Sequence, residues 1–198
     1  MISEYIQGKF SPAIEDSESI KDLIDTHYLN KSHLTDGFAS SYYGVSAIGK
    51  AIHRSKYEDG GDFPDFILKN CLRLIGKKYN GIKFDLVCYI PPTKSGPLVK
   101  NFADKIAKII GVPISHDLIK TRETQEQKMF QSSFSKQENI QGAFDYKEPE
   151  KIKNKTVLLI DDIYDSGTTL KETGRVLSLY GAKWIVPIVI AKTVGGTI

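Results

Sequence analysis

The sequence predicts an α/β fold, an open and mainly parallel sheet flanked by helices, with a small and mainly helical cap ahead of it. Three observations lead there. Val157 to Ile160 is an unbroken apolar run, and a strand with no polar alternation belongs in a parallel sheet covered on both faces. That run and a second one within Phe84 to Ile90 each pass into a loop of Gly, Ser and Thr and then into a helical pattern. The order strand, helix, strand, long loop, strand, helix, strand is the order of an open α/β sheet with right-handed crossovers. Residues 1–80 are expected to form the cap and residues 81–198 the core.

Length and composition set the outer bounds. A chain of 198 residues with 40% hydrophobic and 26% charged residues suits one well-buried globular domain. Its net charge of +3 permits anionic ligands without announcing a nucleic-acid surface. Cys71 and Cys88 sit in apolar surroundings with no CxxC pair, as reduced core residues do. No apolar run reaches the roughly 18 residues of a membrane span, and the first twenty residues carry charges. The expectation is a cytoplasmic protein with no membrane partner. His27 and His33 have no further metal ligands near them in sequence and are assigned to packing or surface.

Each element is argued from its pattern. Ile20, Leu23, Ile24 and His27 suggest one helical face behind a Ser17 or Ser19 cap. Between Ser41 and Tyr57, Val45, Ile48 and Ile52 fall at helical spacing. That stretch also mimics a nucleotide loop, because Gly44, Gly49 and Lys50 match the spacing GxxxxGK. A true loop of that kind follows a buried strand and places a hydroxyl after the lysine, whereas Tyr42 and Tyr43 precede this glycine and Ala51 follows the lysine. Leu68, Cys71, Leu72 and Ile75 mark an amphipathic helix over 64–79 that starts at Pro64. Leu98, Val99, Phe102, Ile106 and Ile109 mark another, closed by Gly111. Val112 to Ser115 is a short strand candidate. From Ile119 to Gly142 apolar periodicity stops, which predicts a long polar loop of the functional kind. Trp184 to Ala191 is a last strand, where Pro187 argues for an edge position or a bulge.

The candidate site lies where the strands run out. Asp161 and Asp162 follow the apolar run at its carboxyl end, the side on which open α/β sheets bind ligands. Gly167 permits close backbone approach, and Asp165, Ser166, Thr168 and Thr169 bring hydroxyls and free N–H groups to a helix start, which suits a phosphate. Thr93, Lys94, Ser95 and Gly96, stiffened by Pro91 and Pro92, form a second anion cradle with one cation. Carboxylates beside a phosphate site fit a ligand that carries both a sugar diol and a phosphate. Asp165 has two readings, N-cap of the helix through the Thr168 N–H and general base.

Four apolar residues, two acids, two apolar residues and a five-residue loop, Val157 to Thr169, resemble the phosphoribosyl pyrophosphate (PRPP) motif of type I phosphoribosyltransferases. Tyr164 stands where that motif has a small aliphatic residue, a change expected to affect packing. Tyr43, Gly44, Ile52, His53, Lys56 and Tyr57, together with Lys120, Arg122, Thr124, Gln127, Lys136, Asn139 and Gly142-Ala143-Phe144, are similar to the ComF-like group. The wording of IPPTKSGPLVKNF, KTRETQEQK and AKTVGG is closer to the domain attached to RecQ-type helicases. The chain departs from the ComF-like pattern in lacking a four-cysteine zinc module, and in reading Lys100-Asn101-Phe102 where Arg-Gly-Phe-Asn is usual.

The resemblance implies transfer of ribose 5-phosphate from PRPP to a nitrogen acceptor, with release of pyrophosphate. Asp161 and Asp162 would hold the ribose hydroxyls, and residues 165–169 the 5-phosphate. Thr93 to Gly96 would hold the pyrophosphate, and Lys120 and Arg122 would come from a mobile catalytic loop. Magnesium would arrive through the substrate, with Asp161 and Asp162 as its candidate protein ligands. The alternative is a PRPP- or nucleotide-binding accessory domain of a DNA-processing system. The acceptor and the oligomeric state stay open.

Overall fold

The computed structural model describes residues 18–19, 33–35, 37–44, 46–58, 60–93, 96–125, 129 and 132–193. The strands are β1 (Glu18–Ser19), β2 (Phe38–Ala39), β3 (Tyr42–Tyr43), β4 (Leu86–Tyr89), β5 (Leu118–Lys120), β6 (Phe144–Tyr146), β7 (Thr156–Tyr164) and β8 (Trp184–Thr193). The helices are α1 (Ala47–Tyr57), α2 (Asp65–Lys78), α3 (Leu98–Ile110), α4 (Ser133–Ile140) and α5 (Thr168–Leu179). The main sheet runs β1-β2-β8-β7-β4, with β3 also on β8. Apart from β1, which is antiparallel to β2, its pairings are parallel. β5 and β6 form a separate antiparallel ribbon.

β7 is central because Val157 to Ile160 are wholly buried, and its side chains divide the interior in two. Leu158 and Ile160 join Ile48 and Ile52 of α1, Ile67, Cys71 and Leu74 of α2, and Phe102 and Ile106 of α3. Val157 and Leu159 join Leu170, Val176 and Leu177 of α5, and Phe144 and Tyr146 of β6. Each such side chain contributes roughly 1.5–3 kcal/mol on burial. Helices α1 and α2, which the sequence assigns to the cap, therefore share an interior with the strands beyond residue 81. Cys71 and Cys88 are free and buried, as expected, and burial pushes both thiols up to about 12.

Four expectations are corrected or refined. β7 does not stop before the acids, because pairing with β8 continues through Asp161↔Val189 and Ile163↔Ala191 to Tyr164↔Lys192. β8 is interior, not an edge. Ile185 and Val189 bond to the segment 33–40, proline has no N–H to give between them, and the Pro187 carbonyl is satisfied by the Tyr79 hydroxyl. The stretch 119–142 is not simply a loop. Ile119 and Lys120 pair with β6, and α4 forms behind Ser132, whose hydroxyl accepts from Ser135 N. Over 112–115 there is a single bridge, Val87↔Ile114, with Ser115 N donating to Val87 O at 2.9 Å. The helix expected around Ile20 to His27 lies outside the described residues.

Helix α1 is shorter than its apolar spacing suggested because Tyr42 and Tyr43 are taken by β3. Ser46 caps it, accepting from Gly49 N at 2.8 Å. The nucleotide-loop mimicry has a packing cause. Gly44 turns the chain at φ 90°, and a Cβ on Gly49 would stand 2.5 Å from Tyr42 O and 2.7 Å from Gly44 N. That glycine lets the first turn of α1 lie on the backbone it has just left. Gly49→Ala should therefore cost ~1–3 kcal/mol through overpacking against main chain that cannot yield, read as a lower midpoint in urea at unchanged slope. An unchanged midpoint would show that α1 can shift.

Candidate active site

β4 and β7 run side by side with Tyr89↔Ile160 in register, and Ile90 N donates to Ile160 O at 2.9 Å. Their carboxyl ends thus open at one place. Asp161 and Asp162 emerge there from β7, and the segment leading to Thr93 emerges from β4. The sheet then continues two residues to the phosphate loop.

Adjacent strand residues point to opposite faces, and the two acids meet different cations. Asp162 is buried and takes Lys56 Nζ of α1 at 2.7 Å. Their side chains are 11% and 13% exposed, so this pair is screened little by solvent. Burial pulls the Lys56 ammonium down, but the Asp162 carboxylate outweighs it and holds its pKa above the ordinary value. Asp161 lies on the side of β5. Its carboxylate accepts from Asp162 N at 2.9 Å. Burial and the charge of Asp162 push its pKa well above the usual carboxylate range, while Lys56 and Lys120 act in the opposite sense.

Lys120, at the end of β5, donates to Thr93 Oγ1 at 2.5 Å and Thr124 Oγ1 at 3.0 Å. Burial lowers its pKa against the pull of Asp161. It joins the segment after β4 to Thr124 and lies within electrostatic reach of Asp161. Gly96 closes the turn after Thr93 at φ 58°. Lys94 and Ser95, expected in the same cradle, lie outside the described residues, as do Gln127 and Lys128.

In the phosphate loop, Gly167 is the N-cap of α5 at φ 75° and no side chain caps that end. The N–H groups of the first turn are thus left for a ligand. The hydroxyls of Ser166 and Thr168 lie 3.0 Å apart beside them. The buried Tyr164 packs beneath the loop, where a Cβ on Gly167 would collide with its hydroxyl. The aromatic ring in place of a small aliphatic thus adds a second reason, besides the positive φ, for glycine at 167.

Asp165 does not cap the helix. Its carboxylate accepts from Lys136 Nζ of α4 at 2.6 Å and from Thr193 Oγ1 at 3.0 Å. Arg122 is turned to α4, donating to Gln141 O at 2.9 Å and to the Glu138 and Glu123 carbonyls. It acts as the cap of that helix's carboxyl end and is not brought to the acids. Asn139 clamps both backbone groups of Gln125. Gly142 N donates to Glu172 Oε1 of α5 at 2.9 Å.

Among the described residues no group of three or more His, Cys, Asp and Glu is arranged to hold a metal. The donor set still fits magnesium, which takes one or two protein carboxylates and retains waters and substrate oxygens. The adjacent carboxyl groups of Asp161 and Asp162 are such a pair. No described helix is long and apolar enough to cross a membrane.

A family model described as a phosphoribosyl transferase domain matches residues 66–195, well over half of the chain. The chain belongs to that family. Within it, the matched span carries residues 93–96 and 165–169, the acid pair and the segment 119–142, while α1 and Lys56 precede it. No curated protein matches the chain. Among solved structures it is similar to the glutamine PRPP amidotransferase from B. subtilis complexed with ADP and GMP, at 21% identity over 69% of this chain and TM-score 0.46. It spans only 30% of that protein's length. A hypoxanthine phosphoribosyltransferase from Staphylococcus aureus is 22% identical over 65% of this chain and 71% of its own, with TM-score 0.40. A purine phosphoribosyltransferase from Pyrococcus horikoshii is 14% identical over 68% of this chain and 91% of its own, with TM-score 0.42.

Lys56 and Lys136, named from sequence only within the ComF-like resemblance, pair with Asp162 and Asp165, and Glu172, which sequence alone does not single out, holds Gly142 N. Lys56 had a signal. It falls four residues after Ile52 and eight after Ile48, on the buried stripe of an amphipathic helix, and a lysine there needs a buried acid.

The raised pKa of Asp161 has a stability consequence. The folded chain keeps a proton there that the unfolded chain loses near the ordinary value of 3.8, so stability falls as pH climbs from that value to the folded-state one and then levels. Asp161→Asn should lose this slope and, at pH 8, melt roughly 2–4 °C higher than the native chain. Parallel melting curves for the two proteins across pH 4–8 would contradict the assignment.

Proposed function

We propose that the chain is a magnesium-dependent phosphoribosyltransferase that transfers ribose 5-phosphate from PRPP to a nitrogen acceptor. The observation that carries this reading is the convergence at the ends of β4 and β7 of two carboxylates, a side-chain-free helix start and the Thr93–Lys120 contact. PRPP needs a diol acceptor, a monophosphate cradle and a cationic diphosphate site at those relative positions.

The C1–O bond to pyrophosphate breaks, a C1–N bond forms, and the acceptor nitrogen gives up a proton. Asp161 and Asp162 accept hydrogen bonds from the ribose 2' and 3' hydroxyls, orient the ring and offset the positive charge that develops on it. The N–H groups and hydroxyls of residues 166–169 hold the 5-phosphate. Thr93 to Gly96 and Lys120 receive the pyrophosphate, whose charge rises as it leaves. Magnesium, when bound with substrate, offsets charge on the pyrophosphate. Arg122 acts through α4, whose carboxyl end it holds at the Glu138 and Gln141 carbonyls, and closure of the catalytic loop over the substrate would exclude water from the sugar cation. Asp165 is the candidate base for the acceptor proton, and Lys136 would have to leave it first.

Within the family we place the chain in the ComF-like group, including the domain attached to RecQ-type helicases, and in the cytoplasm. One observation favours a second reading. Asp162 and Asp165 are each paired with a lysine, as would suit a domain that binds PRPP or a nucleotide for a DNA-processing partner without turnover.

Pyrophosphate release from PRPP and magnesium, screened over nucleobases and amines, tests the choice. Asp161→Asn should lower kcat/KM roughly 100-fold. Lys120→Ala should lower kcat far more than PRPP affinity, because its partner is the leaving group. Tight PRPP binding with no release for any acceptor would sustain the second reading, and no PRPP binding would sink both.

A further inference from the structure

The cation that neutralises Asp162 comes from outside the family-matched span. Lys56 lies ten residues before residue 66, where that span begins, on a helix held in place independently. Ser46 caps α1, Gly49 seats it on the main chain of Tyr42 and Gly44, and Ile48 and Ile52 anchor it in the core. From that fixed base the Lys56 side chain reaches Asp162 Oδ2 at 2.7 Å, with both side chains nearly enclosed. The ammonium also lies 5.9 Å from the centroid of the Tyr57 ring.

Two neighbouring carboxylates in a poorly hydrated place repel each other, and the fold must supply positive charge or let one stay protonated. Cations reach them from two elements, Lys56 from α1 and Lys120 from β5. Lys120 is also bonded to Thr93 and Thr124. Lys56 has Asp162 as its hydrogen-bonded acceptor. An ammonium at 2.7 Å occupies the oxygen that a divalent ion would otherwise use.

We propose that Lys56 is a positioning residue that serves as a built-in cation of the acid pair, filling the outer oxygen of Asp162 and leaving Asp161 as the carboxylate open to a divalent ion. This rests on the reading of the pair as the ribose site and adds what sets its demand for metal. The contact holds the Asp162 carboxylate in one rotamer. The ligand-free pair then carries less negative charge toward an incoming polyanion. PRPP can bind in part before any ion is present, and the ion it brings meets one acid instead of two.

The test compares the native chain with Lys56→Met and Lys56→Arg in two measurements. The first is Mn2+ binding to the PRPP-free protein, followed by water proton relaxation. Lys56→Met should bind Mn2+ at least tenfold more tightly than the native chain, since it bares both carboxylates, and Lys56→Arg should stay within threefold of native. The second is the ratio of PRPP dissociation constants without and with 5 mM Mg2+. It should rise about tenfold in Lys56→Met and return toward native in Lys56→Arg. A merely structural lysine would lower the melting temperature in both measurements' samples without tightening Mn2+ binding. If Lys56→Met fails to fold, Lys56→Gln, which keeps a donor but no charge, should show the same Mn2+ gain. Unchanged Mn2+ affinity in a folded, uncharged variant overturns the proposal. Absence of PRPP binding by the native chain overturns the transferase reading, yet leaves the Mn2+ comparison to decide whether Lys56 is the internal cation.

Discussion

Two carboxylates side by side at the end of a buried central strand are the constraint on which the rest of this molecule turns. Asp161 and Asp162 lie in β7 just past the last residue paired with β4, with β8 still alongside and Asp162 buried, so water alone cannot hydrate both charges. The fold answers from two directions, with Lys56 from the helix above one face and Lys120 from the ribbon above the other. Asp161 keeps a raised pKa nonetheless. Two acids held this close in a partly buried place are unfavourable to the protein by itself and useful when a ligand or ion relieves them, which is why such sites mark function more often than stability.

The second organising feature is the continuity of β7, phosphate loop and α5. One stretch of chain carries the acids, then Gly167 with its uncapped helix start, then Glu172. The carboxylate of Glu172 is buried, bonded to Arg175 and to the amide of Gly142. Through Gly142 and through the Lys136–Asp165 pair, the stretch between β5 and β6 is tied at two points to the element that presents the phosphate loop. A ligand that displaces Lys136 from Asp165 would therefore act on α4 directly, with no long-range relay required.

How much was legible follows from the range of each interaction. The two strand, loop, helix units could be read because their signals are local. An unbroken apolar run, a glycine at a positive-φ turn and an i, i+3, i+4 stripe each lie within about fifteen residues. Gly111 as the end of α3 and the reduced state of Cys71 and Cys88 were readable for the same reason. The spacing of Gly44, Gly49 and Lys50 shows the limit, since a helix that must lie on its own preceding strand needs the same small residue that a phosphate loop needs. Pro187 was misjudged because an edge is the usual home of a missing N–H, whereas here Tyr79, more than a hundred positions away, serves the neighbouring carbonyl.

Sequence alone determined the parallel sheet and the glycine-led helix start, because these follow from periodicity and backbone conformation, while the pairing with β8 that carries β7 past Asp161 and Asp162 to Tyr164 was not legible there. Tertiary structure alone decided which charges meet. Asp162 is 106 positions from Lys56, and Asp165 is 29 from Lys136. Periodicity can show that Lys56 needs an acid but not which one, since a charge's partner is chosen by the packing of whole elements and by the need to leave no buried charge uncompensated.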